Sequence, residues 1–143
     1  MLRSVIFGSG TMADQIRAKD WSATPLGPVT QWDAALLTSV NMMLSIPTPV
    51  QIFWGEDMHA LYNDAFIPIL AHKHPEALGM SARVLWQEVW PDVGAQLESV
   101  FAAGDSYDYR NLPLELLEGN SFRLGYFTFT YSPIRDEIGR AHV

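Results

Sequence analysis

Between residues 126 and 132 the chain reads Tyr-Phe-Thr-Phe-Thr-Tyr-Ser, so that Tyr126, Thr128, Thr130 and Ser132 alternate with Phe127, Phe129 and Tyr131. A period of two sends successive side chains to opposite sides of an extended backbone, which makes this a strand in a sheet with two chemically different faces. The strand runs over 122–134, and a turn at Glu118-Gly119-Asn120 joins it to a second strand over 107–117. Upstream, 50–54 is rich in β-formers, Gly55-Glu56-Asp57 makes a turn, and 59–62 returns as the other half of a hairpin. Between the two hairpins lies a helix over 92–104, in which Val93, Leu97, Val100 and Phe101 recur at i, i+4, i+7 and i+8 and Gly104 stands as a C-terminal cap. The order strand, strand, helices, strand, strand predicts an α+β domain, with helices on one face of an antiparallel sheet.

The first 46 residues carry a different pattern. Met12 and Ile16 lie at helical spacing over 12–19, and Pro25-Leu26-Gly27-Pro28 then enforces a rigid turn, since the two prolines fix φ and remove two donors. Trp32, Leu36, Val40, Met43 and Leu44 form one apolar face of a helix over 31–46, started by the capping-box variant Thr30/Asp33 and stopped by Pro47 and Pro49. These helices predict an N-terminal arm over 1–46 that covers the outer face of the sheet, or a second subunit, with the core domain over 47–143. Asn63 or Asp64 caps a following helix that Pro68 keeps short, and 70–90 reads as short helical pieces punctuated by Gly79.

Length and charge narrow the functional classes. A chain of 143 residues suits one domain. Its 9 basic and 16 acidic residues give a net charge of −7 with no basic cluster, which disfavours nucleic acid as a partner. With no cysteine, disulfides, Cys-ligated zinc and thiol nucleophiles are all absent. No apolar run approaches the ~20 residues of a membrane span, and residues 1–6 are too short for a secretory signal, so the expectation is a cytoplasmic domain with no membrane partner.

Few motifs carry chemistry. Gly8-Ser9-Gly10-Thr11-Met12-Ala13, after an apolar stretch, has the form of a phosphate-cradling turn at a helix start, the basis for a nucleotide-dependent enzyme as a third-ranked reading. A dinucleotide fold would need a second parallel strand ending in an acidic residue, where this chain has Trp21-Ser22-Ala23-Thr24-Pro25. His72-Lys73-His74 offers two imidazoles but no third ligand nearby, and reads as an exposed polar loop rather than a metal site. Trp86 and Trp90, four apart, read as core that can also line a cavity. Asp105 with Asp108, and Glu88 with Asp92, read as solvated turn residues and helix caps rather than an acid–base pair. Nucleophile-elbow, Walker, zinc-protease and kinase ATP-site patterns are all missing, so no catalytic residue, metal or cofactor is expected.

Three segments resemble the PAS sensor family in the expected order: Asp20-Trp21-Ser22-Ala23-Thr24-Pro25-Leu26-Gly27-Pro28 with Trp32, then Leu61-Tyr62-Asn63-Asp64-Ala65-Phe66, then the run from Tyr126 to Asp136 that ends Tyr131-Ser132-Pro133-Ile134-Arg135-Asp136. They look like the N-terminal PAS region of bacterial sensor histidine kinases and together span roughly 10–140. The resemblance implies a ligand-binding or dimerising sensor that passes its state to an output domain outside this chain. It implies a cavity bordered by Tyr62, Phe66, Trp86, Trp90 and Phe101, with Asn63 and Asp64 as a helix cap. A ligand-free dimerisation module is the alternative. Glu118-Gly119-Asn120, Leu124-Gly125 and Ile138 depart from the family pattern. The resemblance also implies a fifth strand lying centrally between the first and last. Residues 141–143 begin such a strand; residues 2–7 or a neighbouring chain are candidates to complete it, which favours a homodimer or a swapped assembly, and the simpler alternative is that further residues of a longer protein supply it.

Overall fold

The computed structural model describes residues 5–136 and 139–143. It is an α+β arrangement of helices with small antiparallel sheets. Helix α1 (Thr11–Ala18) is followed by 3-10 turns at Trp21–Ala23 and Val29–Gln31 and by α2 (Ala34–Ser45). Asp33 alone caps α2, accepting a hydrogen bond from the Ala35 N–H at 2.8 Å. Thr30 instead belongs to the preceding 3-10 turn, which pushes the helix start past the expected residue 31.

The arm packs hard. Met12, Ile16, Trp21, Trp32, Leu36, Val40 and Met43 are buried in the same apolar cluster as the strands and later helices. The Trp21 and Trp32 rings meet edge to face at 5.2 Å. Each indole N–H is satisfied by a carbonyl five residues back, Ile16 and Gly27 respectively, both at 2.8 Å. Two large aromatics can therefore be buried here without an orphan donor.

Strand β1 (Gln51–Trp54) pairs antiparallel with β2 (His59–Tyr62), Gln51 opposite Tyr62. Helices α3 (Ile67–Leu70), α4 (Ala82–Leu85) and α5 (Trp90–Ala103) follow. Pro68 sits in the first turn of α3, and Gly104 closes α5 in the left-handed conformation at φ 72°, its N–H on the Val100 carbonyl at 2.9 Å. Strands β3 (Tyr107–Glu118) and β4 (Ser121–Tyr131) form the long hairpin. Its register shifts between Tyr109 and Leu112, where Asn111 takes φ 51° and donates its N–H to Thr128 Oγ1 at 3.1 Å. Pro113 is tolerated inside β3 because β4 is the one strand paired with it among the described residues, and an edge strand can lack an outward donor.

The chain's last residues join the two halves. After Ser132 and Pro133, β5 (Ile134–Arg135) pairs antiparallel with β6 (Ala141–His142). Val143 then exchanges both backbone hydrogen bonds with Phe53 of β1, at 2.7 and 3.0 Å. The hydrogen-bonded order is thus β2, β1, β6 with Val143, and β5, and only Ser132 and Pro133 separate β5 from β4 in the chain. Residues 5–7 do not join this sheet. The Asn41 side chain of α2 holds them, accepting from the Phe7 N–H at 2.8 Å and donating to the Val5 carbonyl at 2.9 Å. Residues 2–4, the rest of the stretch expected to complete the sheet, lie outside the described residues.

Candidate functional site

Beyond Val143 the edge of β1 and the edge of β4 face one another across a groove of about 640 Å³. Consecutive residues line it on both sides, Thr48 to Phe53 from the α2–β1 connection into β1 and Phe127 to Ser132 along β4 and just past its end. Because consecutive side chains point to opposite faces of a strand, a cavity touching every residue in turn runs along the strand edges rather than over one face. Met42, Met43 and Ile46 of the α2 end form one wall, and Phe66, Ile69, Trp86, Val89 and Val93 form another.

The lining is mostly apolar, with Ser39, Thr48, Gln51, Thr128, Thr130 and Ser132 among its polar members. Gln51 Oε1 accepts from the Trp86 indole N–H at 3.1 Å, which ties the helical wall to β1. Its Nε2 is buried with no hydrogen-bond partner among the described residues. Burying a donor unpaired costs about 1–3 kcal/mol, and this nitrogen presents almost no surface to the groove itself.

Of the residues expected at a cavity, Phe66 and Trp86 line the groove. Tyr62 is fully buried behind Phe66, their rings 6.3 Å apart, and its hydroxyl is hydrogen-bonded to His74 Nδ1 at 2.8 Å. Burial, reinforced by the negative charge of Glu76, pushes the Tyr62 phenol up to about 12. Trp90 and Phe101 are elsewhere. Trp86 ends α4 while Trp90 begins α5, so the two indoles are not on one helix as their spacing suggested. Trp90 folds back on its own helix, over the bare Cα of Gly94, and Phe101 meets the edge of His142 at 5.9 Å.

Asn63 and Asp64 do not cap the helix that follows them. Asn63 is buried at β2's end, where its Oδ1 accepts from Val50 N–H at 3.0 Å and its Nδ2 donates to the carbonyls of Met43, Ile46 and Thr48 at 3.1, 3.1 and 2.8 Å. One amide thereby fixes the α2–β1 connection, which holds no regular ladder of its own. Asp64 reaches across to the start of α1, accepting from the N–H groups of Thr11 at 3.2 Å and Met12 at 2.7 Å. The glycine-rich turn does present an anion site, then, and the chain's own carboxylate occupies it. A Cβ on Gly10 would stand 2.7 Å from Asp64 Oδ2, so the glycine is needed for this contact rather than for a phosphate.

The Lys73 region is also less exposed than its sequence suggests. Lys73 lies over the Trp86 ring at 4.4 Å, donates to the Leu85 carbonyl at 2.8 Å and pairs with the buried Glu88. Glu88 in turn accepts the Leu117 N–H of β3 at 3.0 Å. Burial alone would raise the Glu88 carboxyl. The hydrogen bonds from Lys73 and Leu117 and the Lys73 charge outweigh it and hold the group below the ordinary carboxylate value. Neither Lys73 nor Glu88 was singled out as a pair in the sequence, because their fifteen-residue separation matches no local spacing rule.

Among the described residues no cluster of three or more His, Cys, Asp or Glu side chains could hold a metal ion, and no helix is long and apolar enough to cross a membrane. Scans against protein-family models and against curated proteins find no match for this chain.

Proposed function

We propose that this chain is a PAS-like sensing module of a bacterial signalling protein, of the kind found at the N-terminus of sensor histidine kinases. In this reading it binds its signal in the groove between β1 and β4 and passes the bound state to an output domain. The groove itself is the supporting observation. Its size falls in the range of about 300–1,000 Å³ usual for ligand sites, and its walls are mostly apolar with a few hydroxyl-bearing residues among them. Binding can bias the molecule because one wall is α2, another is the α3–α5 layer, and the floor is the junction where Val143 meets Phe53. An occupant that fits one packing of these parts better than another shifts the population toward it. The reading assigns no catalysis to this chain.

A binding screen tests it. Flat apolar compounds should raise the melting temperature and alter Trp86 emission, and Phe66→Ala, which removes part of the groove wall, should weaken them. A screen in which no compound does either counts against the sensing role. The second reading, a ligand-free dimerisation module, draws on Phe122, Leu124 and Tyr126, which share one face of β4 and are 60 %, 54 % and 68 % exposed. Sedimentation that finds a dimer dissociated by Leu124→Arg, together with an empty screen, would favour it.

A further inference from the structure

We propose that Arg17 of α1 and Asn41 of α2 form a seat for a short peptide segment of a partner protein, which the chain's own residues 5–8 fill at rest as an autoinhibitory strap. This goes beyond the sensing reading and does not rest on the groove. Three observations carry it. The strap is held by side chains and belongs to no strand ladder. Asn41 takes the Val5 carbonyl at 2.9 Å and the Phe7 N–H at 2.8 Å, and Arg17 takes the carbonyls of Ile6 and Gly8, both at 3.0 Å. Backbone groups of four consecutive residues are thus read in alternation from two helices. Next, the seat has support of its own, because the other end of the Arg17 guanidinium is paired with Asp14 of the same helix at 2.7 Å. Finally, the strap has a single anchor. It bends at Ile6, which enters the apolar cluster and is 2 % exposed, while Phe7 beside it is 65 % exposed.

The partner's chemistry follows from what holds the strap. A seat that reads main chain asks for few side chains: one branched apolar anchor, then a residue with a free N–H, then glycine. Gly8 sits at φ 96° with open space where a Cβ would stand, so the backbone conformation demands the glycine and the available room does not. Any partner segment of the form apolar-x-Gly, with x other than proline, can make the same contacts. It has to displace a tethered competitor, whose hold is one buried side chain and four hydrogen bonds, two of them at exposed positions. Those are the features of a segment that opens locally while the rest of the fold stays closed.

The test uses the 143-residue protein, its Phe7→Pro variant and the capped peptide Val-Ile-Phe-Gly-Ser-Gly, which repeats residues 5–10. Phe7→Pro deletes the N–H that Asn41 accepts and leaves the core side chains in place, so it loosens the strap alone. A second peptide carries an N-methyl group on its phenylalanine. The expected result is saturable binding that shifts the Asn41 side-chain amide resonances, about tenfold tighter in Phe7→Pro than in the unaltered protein, whose tethered strap competes. The N-methylated peptide should bind about tenfold more weakly, and adding Asn41→Ala should erase that difference. Equal binding by the two proteins, indifference to N-methylation, or no saturable binding overturns the proposal. Hydrogen exchange in the unaltered protein is the second check. The Phe7 N–H should exchange far faster than the Ala60 N–H, bonded to the Met80 carbonyl at 2.9 Å, and at a rate that low urea leaves unchanged. A common rate for the two, or a Phe7→Pro chain that no longer folds, means that the strap opens only with the whole molecule and overturns the proposal as well. Neither failure touches the sensing reading, which the compound screen decides.

Discussion

Asn63 and Asp64 are neighbours with unrelated tasks, and each can be read out by one substitution. Asp64→Ala should cost about 1 kcal/mol in urea unfolding, the usual worth of a helix N-cap, although the helix weakened lies fifty residues earlier. Asn63→Ala should cost about 3 kcal/mol or more, because it strands the Val50 N–H and three carbonyls at a position only 2 % exposed. Equal losses for the two variants would contradict this division of labour. The sequence marked both residues as polar groups at the end of a strand, and the local rule then assigned them to the nearest helix. It erred because a side-chain oxygen serves whichever free N–H the tertiary fold delivers. The same reason hid the fate of Gly8 and Gly10, whose turn was legible as an anion site while the identity of the anion was not.

At the scale of elements, periodicity did most of its work where one face meets water and one meets core. The first hairpin, the long helix with its Gly104 cap and the β3–β4 hairpin all fall within a few residues of their expected bounds. Trp86 and Trp90 misled because the α4–α5 break between them has no Gly or Pro before Pro91, so an i, i+4 pair looked like one helix. That break is locked to β3 through Glu88, and the lock should be sensitive to acid. The depressed Glu88 carboxyl contributes stability that is fully present above its unfolded value, near 4.3, and is lost as pH falls through the lower folded value. Glu88→Gln should therefore destabilise the protein at pH 7 and narrow the stability difference between pH 7 and pH 3. Urea midpoints at the two pH values measure this, and an unchanged difference would show that Glu88 is not the group involved.

Across the whole molecule the buried apolar side chains of the described residues gather in one cluster, and residues up to 46 supply a large share of its bulky members. A chain shortened to begin at Pro47 should lose near-UV circular dichroism and cooperative melting, since Trp21, Trp32, Leu36, Val40 and Met43 leave together. A shortened chain that keeps both would make the arm an accessory. The arm was legible from its apolar spacing, but its depth in the core was not, because no pattern in one segment reveals the surface another will offer. The meeting of the chain's end with β1 has a spectroscopic consequence. His142 lies face to face on Trp54, ring centres 3.6 Å apart and planes within 6°. The indole ring current must shield the imidazole protons above it, so one of the four histidines should give a resonance well upfield of the others, and that signal should return to its ordinary position whenever the last residues leave β1.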